Sequence, residues 1–416
     1  MITDHRTTVG DYVTLVRGTT YKGSLVGEPG PALLGLGSIK PGGGFRIGHY
    51  KTYGGDCPIE LMLFPGDIYA SLKGATKDGK MIGSVARVPP SVATGRLTQD
   101  TVKLVFRNPN PKDASYLYWI LRTPQYREYC AGHSMGSAVV ALSRRDFLGY
   151  PVPPVTTERM MAVALLDAIE ERIELNRRMN ETLEATARAI FKSWFVDFDP
   201  VRAKAEGRDP GLPKHIADLF PDSLEDSELD EIPAGWEVRS LGDLLELHYG
   251  KALKEENRVA GRIPVFGSNG QVGWHDEKVA EGPGIIVGRK GNPGIITWAP
   301  TEFFAIDTTF YVVTKPGCKS VYFLFYALKT HDLAALGADS AVPGLNRNMV
   351  YMSKQVAPPK ALLTVFDSFI QPLFQRITEA NNESRTLAAI RDTVLPKLIS
   401  GELRVMNTES CLEPQA

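Results

Sequence analysis

Two stretches of the chain carry the same rhythm of apolar positions. Ile169, Ile173, Asn176, Asn180, Leu183, Ala187, Ile190 and Trp194 step by four and three alternately. Leu373, Ile377, Ala380, Ser384, Leu387, Arg391, Val394 and Leu398 step identically, 204 residues later. A four-three rhythm held over about three heptads keeps one face of a helix turned towards a partner helix, as in a coiled-coil seam. Each stretch therefore predicts a long helix, and the two are expected to pack on each other, antiparallel. Asn176 and Asn180 fall on the seam, where a polar residue either fixes register or marks a place where the seam opens to another protein. Phe191, Trp194, Phe195 and Phe198 crowd the end of the first helix and predict an interface, within the chain or between chains. Pro200 is expected to stop the first helix; Pro372 predicts a kink or fresh start in the second, and Pro396 a bend.

The segments before the helices read as short strands with Gly and Pro turns, and they repeat too. Gly10-Asp11 answers Gly242-Asp243 at an offset of 232, Lys73-Gly74 answers Lys290-Gly291 at 217, and Asp100-Thr101 answers Asp307-Thr308 at 207. The offset settles to 204 through the helices. One inserted residue would rotate a helical seam by about 100°, whereas loops absorb length changes at small cost. The pattern predicts an α+β chain with an internal, approximately two-fold repeat: two strand-rich domains (1–155 and 233–358) and two long antiparallel coiled-coil helices (156–199 and 359–404). Residues 200–232, rich in Asp, Glu, Pro and Gly, read as a linker with one short amphipathic helix, and 405–416 as a tail.

Composition narrows the class. The 416 residues are 43% hydrophobic without an apolar run of bilayer length. The start, MITDHRTTVGDYVTL, lacks a secretory layout, and Cys57, Cys130, Cys318 and Cys411 have neither zinc nor redox spacing, so a cytoplasmic protein is expected. The net charge of −1 averages unlike parts: residues 1–150 hold 18 Lys+Arg against 11 Asp+Glu, an excess of 7, while 201–232 hold 4 against 9. A basic first domain permits phosphate binding.

No catalytic motif emerges. Asn108-Pro109-Asn110-Pro111 lacks the aromatic fourth residue of amino-methyltransferases and reads as a turn; no metal spacing, triad or nucleotide P-loop stands out. Gly288-Arg289-Lys290-Gly291-Asn292-Pro293-Gly294 follows an apolar strand and is either a plain basic hairpin or a loop bringing Arg289, Lys290 and Asn292 to phosphates and base edges. Its counterpart holds Lys73, Thr76 and Lys77. Ser268 and Asn269 lie in a tight turn, structural or base-contacting. Arg144, Arg145 and Arg347 precede the helices at near-equivalent places, as phosphate clamps or as solvated helix starts, and Asp100 and Asp307 read as structural.

The arrangement resembles the specificity subunit of type I restriction-modification enzymes, the HsdS family. The phrases that carry the likeness are Ile232-Pro233-Ala234-Gly235-Trp236-Glu237, Ile263-Pro264-Val265-Phe266-Gly267-Ser268-Asn269-Gly270, the loop from Gly288 to Gly294, and Leu395-Pro396-Lys397-Leu398-Ile399-Ser400-Gly401-Glu402-Leu403. The first domain departs from the pattern: it has no Pro-Ala-Gly-Trp-Glu opening and begins abruptly at Thr7-Thr8-Val9-Gly10. The resemblance implies two target-recognition domains that each read a few base pairs of double-stranded DNA, on helices that set an unread spacer. About 40 helical residues at ~1.5 Å each span ~60 Å, enough for a turn or more of DNA. It also implies that the chain is not an enzyme and binds no cofactor. Two methylation subunits would bring S-adenosylmethionine, and restriction subunits ATP with Mg2+. A protein-binding adaptor with duplicated ligand modules is the alternative from another class.

Overall fold

The computed structural model describes residues 7–74, 79–135, 141–336 and 344–400. Thr76 and Lys77, and the side chain of Leu398, lie outside the described residues. The chain divides into two units, residues 1–178 with 383–416, and residues 179–382, so that both boundaries fall inside the long helices.

In the first unit β1 (Val13–Arg17), β2 (Ile68–Ser71), β3 (Val85–Arg87) and β4 (Thr101–Phe106) form an antiparallel sheet in the order β1-β4-β2-β3. In the second, β5 (Leu245–Tyr249), β6 (Gly284–Gly288), β7 (Ile296–Ala299) and β8 (Thr309–Thr314) repeat that order as β5-β8-β6-β7. The fold is α+β, as the pattern predicts. A carboxylate three residues on caps the short helix before each first strand: Thr8 N donates to Asp11 Oδ2 at 2.7 Å and Ser240 N to Asp243 Oδ2 at 3.2 Å.

Strand register corrects one detail of the repeat. Thr101 and Thr309 are both fully buried, and each hydroxyl donates to the carbonyl three residues back, Thr98 at 3.1 Å and Ile306 at 2.8 Å. They occupy the same place, so the offset there is 309 − 101 = 208 and Asp100 answers Thr308, not Asp307. A one-residue slip would exchange the faces of every later side chain, which is why burial discriminates where residue identity does not. The abrupt start at Thr7 is also resolved. Val9 N donates to Tyr150 O at 3.0 Å and Val152 N to Thr7 O at 2.8 Å, a short version of the second unit's ladder between Glu237–Ser240 and Lys354–Ala357.

The first long helix is Thr157–Phe195 and the second Lys360–Ser400. Inside each unit their segments run antiparallel. In the first, the Arg172 guanidinium grips Glu383 at 2.8 and 3.1 Å, and Asn176 Nδ2 donates to Glu383 Oε2 at 2.9 Å and to Ser384 Oγ at 3.2 Å. In the second, Asn180 Nδ2 donates to Asn381 Oδ1 at 2.8 Å and Phe191 meets Phe366 with ring centroids 6.2 Å apart. Both seam asparagines thus bond across to the facing helix. Ile169, Asn176, Ala187, Trp194 and Ala380 are buried, while Ile173, Asn180, Leu183, Ile190, Leu373, Ile377, Leu387 and Val394 are half-buried. The same rhythm runs further than the sequence suggested, back to Ala162 and Leu166 in one helix and to Phe366 and Ile370 in the other, all buried.

Pro372 does not begin a fresh helix, and Pro200 does not itself end one. The second helix is continuous through Pro372 and Pro396. Pro372 is exposed, so water can take the carbonyl that its missing N–H leaves free. The first helix ends at Phe195, before Pro200, which instead opens the helix Asp199–Ala205 behind a left-handed Phe198 (φ 55°). That helix has the fixed φ and dispensable N–H that suit proline in a first turn. Residues 200–232 are packed: Val201, Ile216, Phe220 and Ile232 are buried in one core with Trp194, Phe195 and Trp236, and Leu224–Ser227 pairs with Asp230–Pro233. This covers the aromatic crowd at the end of the first helix from within the chain, together with Phe323 and Phe366.

How each sheet grips its helices differs. Strand register puts Arg87 opposite Ile68 and Trp298 opposite Ile285, the same place in the two sheets, and the helix offset makes 170 + 204 = 374 equivalent. In the first unit that meeting is ionic. Glu170 bonds Arg122 at 2.5 Å and Arg87 at 3.2 Å, Asp167 bonds Arg87 and Trp119 Nε1 at 2.9 Å each, and Tyr118 Oη donates to Glu170 at 3.2 Å. In the second it is aromatic: Trp298 lies 4.6 Å from Phe374 and 5.1 Å from Tyr322, with Phe325 5.7 Å from Phe374.

Candidate nucleic-acid interface

Three elements of the second unit meet at one edge of its sheet. β5 ends on Tyr249, which is 52% exposed. The loop after β6 brings Arg289, whose guanidinium lies 5.0 Å from the Tyr249 ring centroid and 5.9 Å from that of Phe310. The helix Arg347–Met352 brings Arg347, 5.2 Å from the same Tyr249 ring, with Nη1 donating to Leu247 O at 3.4 Å. Arg289 is held by its backbone: its N donates to Thr308 O, and its O accepts from Leu345 N, at 2.9 Å each. Neither guanidinium is ion-paired among the described residues.

The loop geometry requires its glycines. A Cβ on Gly288 would meet Asn292 O at 2.2 Å, and Gly291 (φ 80°) and Gly294 (φ 83°) occupy the left-handed region. Its far side reaches the two-residue turn Ser268-Asn269, which joins strands Ile263–Gly267 and Gly270–His275, where Asn292 Nδ2 donates to Asn269 Oδ1. Lys290 and Asn292 are exposed; Lys290 N donates to Thr308 O at 3.1 Å. Ser268, Asn269, Arg289, Lys290, Asn292 and Arg347 therefore come together in one basic, amide-bearing patch. Tyr249 was not anticipated from the sequence; the signal available was an aromatic closing the alternating strand Leu-Glu-Leu-His-Tyr just before Gly250.

The first unit is less convergent. Lys73 sits at the register position of Lys290, each bridging a distant segment (Ala141 and Gly344), but Lys73 Nζ pairs with Asp100 at 3.5 Å. Asp100 lines a groove of about 270 Å3 with Tyr21, His49, Lys51 and Gln99, none of them anticipated from the sequence. Arg144 and Arg145 are exposed in the first turn of Arg144–Leu148, capped by Ser143, whose Oγ accepts from Asp146 N at 3.0 Å. Among the described residues neither arginine lines the groove. Asn110 likewise caps a helix, accepting from Lys112 N at 3.0 Å, which makes the Asn-Pro repeat a helix start.

Behind this domain lies the ionic network around Glu170. Burial alone would raise the Glu170 carboxyl, but the Arg122 and Arg87 guanidinium groups outweigh it and hold the group below its ordinary range. Among the described residues no cluster of three or more His, Cys, Asp or Glu could hold a metal ion, and no helix is long and apolar enough to cross a membrane.

Two strand-rich domains, each docked on paired long helices and one carrying an open arginine and amide patch, define a recognition scaffold. The family description "Type I restriction modification DNA specificity domain" matches residues 233–350. A type I restriction enzyme specificity subunit of Methanocaldococcus jannaschii is 27% identical over 72% of this chain and 72% of its own. One of Haemophilus influenzae is 25% identical over 62% of this chain and 69% of its own. The crystal structure of the type I restriction-modification S subunit from M. genitalium has the same fold, with a TM-score of 0.55 and 17% identity, covering 98% of this chain and 99% of that one. Residues 233–350 thus match a type I restriction-modification DNA specificity domain, and the chain is similar to type I specificity subunits along most of its length.

Proposed function

We propose that this chain is the DNA-specificity subunit of a type I restriction-modification assembly, each domain reading one half of a bipartite duplex target. The observation that carries the reading is the patch around Tyr249: two guanidinium groups without carboxylate partners among the described residues, with two asparagine amides nearby and a loop whose glycines let backbone approach a ligand. Arginine forks match guanine edges and phosphates, and amides match adenine. Protein-only adaptors have no need of such a patch. The chain does no chemistry itself: methylation subunits bring S-adenosylmethionine, restriction subunits bring ATP and Mg2+, and the assembly works in the cytoplasm.

Selection from a random duplex pool tests this. The expected result is a split target with two conserved halves; no enrichment would favour the adaptor. Incubation with S-adenosylmethionine or with ATP and Mg2+ should leave DNA unaltered unless the other subunits are added. On the selected target, Asn292→Ala should cost about 1–3 kcal/mol at one base pair. Lys290→Ala, or Lys73→Ala in the other domain, should weaken all sequences alike and flatten the salt dependence. A base-specific effect of either lysine would contradict that assignment.

The seam is proposed to organise the methylation subunits. Leu183 and Ile190, or Leu387 and Val394, replaced by Asp should abolish assembly, because half-buried seam positions cannot solvate a charge fully. Light scattering on the mixture measures it, and an unchanged complex mass refutes the placement.

A further inference from the structure

We infer that Tyr249 is a specificity-positioning residue: its ring holds the Arg289 fork for a guanine, so that the second domain's half-site contains a G·C pair whose discrimination depends on Tyr249. The inference rests on the DNA-reading role proposed above and names one base pair of the target.

Arg289 and Arg347 are like charges brought to the same ring, at 5.0 and 5.2 Å from its centroid. Their mutual repulsion would drive them into solvent, yet no carboxylate among the described residues holds either. What offsets the repulsion is the negative face of Tyr249, together with Phe310 for Arg289 and Tyr351, 5.8 Å away, for Arg347. The two arginines are not equivalent. Arg347 spends one nitrogen on Leu247 O, and its chain emerges from a helix turn capped by Asn346. Among the described residues Arg289 has no polar partner for its guanidinium, and its backbone is fixed on both sides. A planar fork with fixed origin, stacked and otherwise unbonded, is suited to the paired O6 and N7 acceptors of guanine, where a flexible lysine would serve only as a point charge. Tyr249 is more than half exposed and buries little core surface, so its conformation serves the arginines more than stability.

The test uses the full chain and the duplex selected from a random pool, with every single base-pair variant of the second half-site. Arg289→Ala should lower discrimination at one G·C pair about 5- to 150-fold. Tyr249→Ala should lower it at the same pair about 2- to 5-fold, with little effect on a duplex already lacking that pair. Tyr249→Phe should keep discrimination, since the ring face and not the hydroxyl acts, and Tyr249→Leu should lose it while filling similar volume. Arg289→Lys should retain affinity but not discrimination. The inference is overturned if Tyr249→Ala and Tyr249→Leu weaken all duplexes equally, if their loss falls at a different base pair from that of Arg289→Ala, or if no conserved G·C pair appears in that half-site. Failure to select any target would overturn the DNA-reading role itself, an outcome distinct from a selected target indifferent to Tyr249.

Discussion

Glu170→Ala is expected to destabilise the first unit by about 3–5 kcal/mol, the range for removing one partner of a buried ion pair. Arg122, with 6% of its side chain exposed, would be left among the described residues with the Tyr118 hydroxyl as its hydrogen-bond partner and no carboxylate in contact, and Arg87 with Asp167 and Ser115 as its hydrogen-bond partners. The effect should depend on pH with a defined sign. The native carboxyl titrates below its ordinary value of 4.5, so its contribution is fully present above that value. It fades as pH falls through the lowered native value, where the folded state must also take up the proton. Denaturant titrations followed by circular dichroism at pH 7 and at acid pH measure this. Equal losses for the parent and the variant on acidification would show that Glu170 is not the group responsible. Glu170→Gln, which keeps the shape, separates charge from packing.

Exchanging residues 233–358 for the corresponding domain of another specificity subunit should change one half of the target completely and leave the other half and the spacing as they were. The domains share a strand order but form independent cores on opposite sides of the unit boundary. The structure adds a condition. The incoming domain must present an aromatic side chain at the place of Trp298, because Phe374 of the retained helix awaits it there. A donor with arginine at that position would bury a charge against phenylalanine and should fold poorly. Target selection with matched and mismatched donors checks both halves of the statement. A matched exchange that altered the two half-sites together would refute the division of labour.

The helices were legible because their contacts are periodic in sequence. Every third or fourth residue meets the same partner surface, so the seam can be read without knowing what faces it, and even the bonded asparagines stand out. Strand order was legible only through the repeat, and its register needed burial, as Thr101 and Thr309 show. The packing of segment 200–232 was not legible because its buried apolar residues Val201, Ala203, Ile216, Phe220 and Ile232 are dispersed among many acids, and no window contains enough of them to signal a core. The patch was partly legible. Arg289, Lys290 and Asn292 lie together in sequence, but Tyr249 and Arg347 join them from 40 and 58 residues away, counted from Arg289. The ionic and aromatic meetings behind the sheets could not be read, since each unites a strand, a helix and a long-helix position with no local pattern.

Those two meetings give the halves of the protein different weaknesses. An ion network loses strength when its carboxylates are protonated, whereas an aromatic cluster loses its hydrophobic driving force on cooling and is indifferent to mild acid. Acid strong enough to protonate Glu170 should therefore loosen the seat of the first domain while sparing that of the second. Acidification would then change which half of a target the protein still reads, so that its errors would be one-sided.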